Sequence, residues 1–129
     1  MNKIIVEVSI GELLDKISIL EIKQGKIKDP EKLKFINNEH SILKSQLENN
    51  VKSDEKLNNL YQSFKEINAK LWVIEDDKRQ CEKGKSFGEK FIKLSRDVHF
   101  LNDDRAKIKL EINNHTGSVI KEIKEYTNY

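Results

Sequence analysis

SIGELLDKISILEIKQGKIK, Ser9 to Lys28, is the stretch on which the reading of the chain turns. Ser9 can cap a helix, and Glu12, three residues on, can reach back to close a capping box. Ile10, Leu13, Ile17, Leu20 and Ile27 then recur at three- and four-residue spacing, one continuous helical stripe. Leu14, Ile19 and Ile22 lie off that stripe. A helix that is apolar on more than one face packs against more than one neighbour.

Outward from this helix, Asp29-Pro30-Glu31 reads as an N-cap, a proline at the first helical position and an acid in the first turn. The second helix carries Leu33, Ile36, His40, Leu43 and Leu47. So tight a turn implies an antiparallel hairpin over 9–48, with facing residues whose numbers sum to roughly 57 by the equal rise of the two helices. Ile17 is then expected opposite His40. Polar residues from Glu48 to Asp54 mark the main connection. A third helix is predicted from Glu55 to Lys83, stopped at Gly84, with Leu57, Leu60, Phe64, Ile67, Leu71, Ile74, Lys78 and Cys81 in heptad spacing. Ser86 and Glu89 read as a second capping box. The fourth helix carries Phe87, Phe91, Leu94, Val98, Leu101, Arg105, Ile108 and Ile112 and ends at Gly117-Ser118. This second hairpin, 54–116, is the longer one, and its expected register puts Leu57 against Ile112 and Phe64 against Arg105.

The expected fold is therefore all-α, a single domain of two antiparallel helical hairpins packed as an elongated four-helix bundle or coiled-coil-like assembly. Residues 1–8, with Ile4, Val6 and Val8 alternating, read as an extended arm, either a short strand or a strap along the bundle. Residues 117–129 form a tail, either a short helix through Val119, Ile120 and Ile123 or frayed chain.

Composition agrees. Of 129 residues, 36% are charged and 36% hydrophobic, with one proline and five glycines, which suits amphipathic helices better than a turn-rich sandwich. The net charge of +2 is spread evenly, so no nucleic-acid or membrane-surface partner is signalled. One cysteine allows no internal disulfide, and a reducing, cytoplasmic setting is expected.

Three segments carry a resemblance: GELLDKISILEIK (Gly11 to Lys23), LWVIEDDKRQCE (Leu71 to Glu82) and NDDRAKIKLEIN (Asn102 to Asn113). Together they resemble an uncharacterised family of small bacterial and phage proteins, a domain of unknown function. The resemblance runs over nearly the whole chain and implies no activity. The family pattern ends in two acids, a lysine and Ser-Tyr, whereas this chain ends Lys124-Glu125-Tyr126-Thr127-Asn128-Tyr129.

Candidate chemistry lies in three charged groups. Glu75, Asp76, Arg79 and Glu82 form i,i+3 and i,i+4 pairs, whose plain reading is a solvated ladder contributing about 0.2–0.5 kcal/mol per pair. Trp72 and Val73 just upstream supply the apolar surface that could turn Glu75 or Asp76 into an acid or base. Asn102, Asp103, Asp104, Arg105 and Lys109 form the second group. Arg105 holds a core heptad position, where a charge requires a partner or an aromatic ring and most often fixes register. Asp15, Lys16, Glu21 and Lys23 of the first helix form the third.

Two readings compete. A protein–protein interaction or assembly module, most simply a homodimer, would show an uncovered apolar patch. A small enzyme or binder of an anion (a phosphate, nucleotide sugar or dicarboxylate) would hold it with Arg79, Arg105, Lys16 and Lys109, aided by Asn102, and use Glu75, Asp76 or Asp103 as acid or base. That reading requires a pocket where charges from different helices converge. The interaction module is favoured. Gly84-Lys85-Ser86 lacks the first glycine and the strand of a phosphate loop. His40, His99, His115 and Cys81 lack metal-ligand spacing, so no metal or cofactor is expected.

Overall fold

The computed structural model describes residues 2–129. Among them the elements are four helices: α1 (Ile10–Lys26), α2 (Pro30–Asn50), α3 (Glu55–Lys83) and α4 (Glu89–Thr116). The all-α bundle expected from the periodicity is what forms. α1 packs on α2, α3 and α4, and α3 packs along α4. α1 is thus the hub, which is why it carries apolar residues off its main stripe.

The starts of α1, α2 and α3 follow local chemistry. The Ser9 hydroxyl accepts from Glu12 N–H at 3.0 Å, Asp29 from Glu31 N–H, and Asp54 from Leu57 N–H at 2.7 Å. The Ser9–Glu12 capping box is only half built, because the Glu12 carboxylate turns to Lys109 instead. The second capping box does not form. α4 begins two residues later, at Glu89, with Gly88 as an N-cap that supplies no side-chain bond.

The reason lies in how α3 stops. Ser86 N–H donates to Cys81 C=O and Lys85 N–H to Glu82 C=O, the paired closure of a helix end. Ser86 is thereby consumed as the end of α3. Lys85, not Gly84, takes the left-handed conformation, φ 54°. At the end of α4 the glycine has the expected role: Gly117 has φ 66°, and Ser118 N–H donates to Asn113 C=O.

Other boundaries shift slightly. α1 stops at Lys26, not Lys28, and α2 continues to Asn50, where the Asn50 side-chain amide donates back to Gln46 C=O. Residues 2–8 form no helix or strand and are exposed. The tail after Gly117 forms no helix.

The core is centred on Leu14, Leu57, Phe64 and Ile112, with Ile10, Leu47, Val51, Leu60, Tyr61 and Ile108 at its margin. Leu57 and Ile112 meet as the register requires. Phe64 does not stack on Arg105; it is wholly enclosed by aliphatic side chains, because α1 lies over the α3–α4 junction and draws Arg105 toward its own carboxylate. His40 meets Glu21, one turn beyond Ile17. Side chains lean toward the N-terminus of their own helix, so contacts in an antiparallel pair join higher-numbered residues than the backbone levels alone indicate.

Burial is uneven along the long hairpin. The buried residues of α4 are Lys109, Ile112 and Asn113, and beyond Leu71 only Cys81 is buried in α3. α1 covers the base of this hairpin and leaves its far half as a two-helix arm.

Candidate functional site

The base of the hairpin holds an internal network of polar and charged groups. α1 approaches α4 at Gly11, whose N–H donates to Asn113 Oδ1 at 2.7 Å. A Cβ there would stand 2.6 Å from Lys109 Cγ and 2.8 Å from the Lys109 carbonyl oxygen. Only glycine allows the two backbones this close. One turn along, Asp15 is 3% exposed. Its carboxylate accepts from Asn68 Nδ2 at 2.9 Å, from Arg105 Nε at 3.2 Å and from a terminal nitrogen of the same guanidinium, and lies 3.3 Å from Lys109 Nζ. Asn68 also donates to the Ser18 hydroxyl at 2.7 Å. Arg105 NH1 reaches Asn102 Oδ1.

Lys109 is nearly as enclosed as Asp15. Its ammonium meets Glu12 at 2.8 Å, Asp15, and Glu122 of the tail at 3.3 Å. Burial works to lower its pKa, but the bonds and charges of Glu12, Asp15 and Glu122 outweigh that and raise it, so Lys109 stays charged. Each of its three protons has a carboxylate to meet. An enclosed charge set of this kind is held by mutual compensation, and removing one member leaves the others uncompensated.

A second cluster ties α1 to α2 and α3. The Glu21 carboxylate accepts from the Tyr61 hydroxyl, meets His40 Nε2 at 3.0 Å and lies 3.4 Å from Lys65 Nζ. Burial pushes Glu21 upward, yet the bonds from Tyr61 and His40 and the charge of Lys65 carry its pKa below the ordinary value. Tyr61 is shifted up, by burial first and then by the adjacent carboxylate.

Of the residues expected to act together, Asp15, Asn102, Arg105 and Lys109 are brought together. Lys16 is exposed at the edge of this network, 3.9 Å from Glu12. Glu21 belongs to the second cluster, and Lys23 lies in the last turn of α1. Glu75, Asp76 and Arg79 are exposed and line a shallow groove with Ile19, Ile22 and Trp72, into which Arg105 also projects. Asp103 accepts from the Tyr129 hydroxyl. Among the described residues, no group of His, Cys, Asp and Glu is placed to hold a metal.

Sequence reasoning missed Asn68, Ser18, Asn113, Tyr61 and Glu122. Asn68 had a signal: it lies four residues after Phe64 and three before Leu71, a polar residue on an apolar stripe. Glu122 had none, since the tail has no periodicity to place it.

A larger groove, of about 730 Å³, runs between α4 and the tail. It is lined by four cations, Arg96, Arg105, Lys109 and Lys124, with Asp103 as the one carboxylate. The rings of His99, Phe100 and Tyr129 meet one another at centroid separations of 4.6–5.3 Å.

Fold and network define a class: a small helical bundle whose first helix is fastened to a long hairpin by enclosed charge pairs. The chain belongs to DUF6165, a family of unknown function, which matches residues 4–129. No curated protein and no solved structure matches it.

Proposed function

We propose that the protein is a cytoplasmic interaction and assembly module that pairs with a second copy of itself by exchanging N-terminal arms. The supporting observation is apolar surface left uncovered on two separate elements. Ile4 is 89% exposed and Ile5 81%, and Val6 is exposed beside them. On the long hairpin, a groove of about 640 Å³ is lined by Ala69, Val73, Ile74, Phe100 and Leu101, with Val73 48% exposed. Lys70 and Asp97 flank it, charges that match Glu7 and Lys3 of the arm.

A short extended segment of β-branched residues fits such a groove, and each Ile or Val buried contributes about 1.5–3 kcal/mol before the cost of association. Reciprocal exchange about a twofold axis covers both arms and both grooves. The heptad spacing of α3 and α4 supports a coiled-coil-like arm as the surface offered. A free, buried Cys81 fits a reducing compartment. No helix among the described residues is long and apolar enough to cross a membrane.

The test is molar mass by light scattering at micromolar concentration. The wild type is expected at twice the chain mass, and Val6→Asp and Val73→Asp each at the chain mass with unchanged helical circular dichroism. A monomeric wild type ends the self-association reading. A dimer that survives both substitutions keeps self-association and rules out the arm.

A further inference from the structure

The groove between α4 and the tail shares Arg105 and Lys109 with the helix network and Phe100 with the arm groove, and adds Arg96, Lys124 and Tyr129, which fold and assembly leave unused. Three cations meet at one end, Arg105, Lys109 and Lys124. Lys109 is nine-tenths buried and reaches this end, where the carboxylate it meets is Glu122. Glu122 comes from an irregular segment, is over a third exposed, and is shared with Lys124 at 2.7 Å. It is the one of Lys109's three carboxylate partners that does not come from α1. A carboxylate so placed has the charge and position of a bound anion.

At the other end are His99, Phe100 and Tyr129, whose rings pack tilted and edge to face on one another as an aromatic cluster lining the groove. Arg96 lies over Phe100 at 5.8 Å and has no carboxylate partner among the described residues. Phe100 and Lys109 are nine positions apart on one helix, roughly 14 Å at 1.5 Å per residue. The groove therefore offers a cationic end and an aromatic end, and the long Lys109 side chain, leaning back toward the N-terminus of α4, shortens the gap between them.

We propose that this groove binds a phosphorylated nucleoside. Its phosphates sit on Arg105, Lys109 and Lys124, its base stacks on the groove-facing side of the His99, Phe100 and Tyr129 cluster, and Glu122 leaves Lys109 as the phosphate arrives. A terminal phosphate carries more charge than the carboxylate it displaces and three oxygens to share among the cations, so the exchange favours phosphate over another carboxylate. Arg105 keeps its bonds to Asp15 throughout, so binding leaves the helix network intact.

The experiment is titration calorimetry on the full chain with uridine diphosphate, adenosine diphosphate, uridine and inorganic phosphate. Saturable binding of a nucleoside diphosphate is expected, with uridine and phosphate each at least tenfold weaker. Two exposed substitutions leave the α1 carboxylates of the network, Glu12 and Asp15, in place on Lys109. Glu122→Gln removes the competing charge and is expected to tighten both diphosphate and inorganic phosphate about fivefold. Tyr129→Leu is expected to weaken the diphosphate about tenfold, through lost stacking, and to leave inorganic phosphate unchanged. No saturable binding by either the wild type or Glu122→Gln overturns the proposal. Equal affinity for phosphate and diphosphate, or indifference to Tyr129→Leu, overturns the nucleoside part and leaves a plain anion site. Preference for an acidic peptide over all four probes overturns the ligand class.

Discussion

Gly11 and Gly25 sit in the same helix under opposite constraints. At Gly11 an added methyl meets the Lys109 carbonyl oxygen and Asn113 Oδ1 within 3 Å, and the backbone atom cannot swing aside. Overpacking of this kind costs about 1–3 kcal/mol, against which alanine regains about 1 kcal/mol of helix propensity. At Gly25 nothing lies within 4 Å. Gly11→Ala is therefore expected to lower unfolding free energy by about 1–2 kcal/mol, and Gly25→Ala to raise it by up to about 1 kcal/mol. Urea denaturation of the two variants side by side checks both signs. If Gly11→Ala is neutral, α1 and α4 are not held at this separation.

Asp15 illustrates how far a single residue was legible. Its place among the charges of α1 was plain from the sequence, and so was the need of Arg105 for a partner. The second apolar face of α1 already implied that one of Asp15, Lys16, Glu21 and Lys23 meets Glu75, Arg79 or Arg105; that the pair is Asp15 with Arg105 was not legible, because they stand 90 residues apart and no local rule selects them.

At the scale of elements, α1 is held twice: by the Asp15 network against α3 and α4, and by Glu21 against α2 and α3. The second attachment depends on pH. Glu21 titrates below its ordinary 4.5 in the folded protein. Its contribution is therefore full above that value and is lost as pH falls through the folded pKa, where the unfolded chain already holds the proton. Glu21→Gln is expected to flatten the acid limb of a stability-against-pH curve below about pH 4.5, leaving the neutral region lower but level. Thermal melts of the two proteins across that range decide it; parallel acid limbs would remove Glu21 from the account. Tyr61, shifted upward, acts with the opposite sense: its contribution is present below the ordinary tyrosine pKa of 10.0 and declines above it.

Helix starts and stops were mostly local and mostly read correctly, since Ser9, Asp29, Asp54 and Gly117 act on backbone groups within a few residues. The exception, Ser86, had two local uses open to it, a cap for α4 or the closing turn of α3. The closing turn won because it satisfies two carbonyls at the end of α3.

For the molecule as a whole, the consequence is a stable base and a thinly covered arm. Around Phe64 and Ile112 three helices enclose the core, while the region from Asp77 to Asp97 has only α3 against α4 and little buried surface. Local opening follows buried contact, so amide hydrogen exchange is expected slowest over Leu57–Leu71 and Arg105–Asn113 and fastest within the helices near Cys81–Phe91. Uniform protection along α3 in dilute protein would mean that a partner covers the arm even there. The same imbalance supports assembly: a two-helix arm with Val73, Ile92 and Phe100 exposed gains from any partner that covers it.

The sequence by itself determined the helices, their order, their hairpin pairing and the excess apolar surface of α1, because period, caps and loop length act over one or a few turns. The tertiary structure alone decided which charges meet. Asp15 with Arg105 and Lys109, Asn68 with Ser18, and Glu122 with Lys109 depend on the angle at which α1 crosses the long hairpin and on where the tail lies. Those are set by the packing of Leu14, Phe64 and Ile112 and by the absence of a side chain at Gly11, contacts between residues that no spacing in the chain brings together.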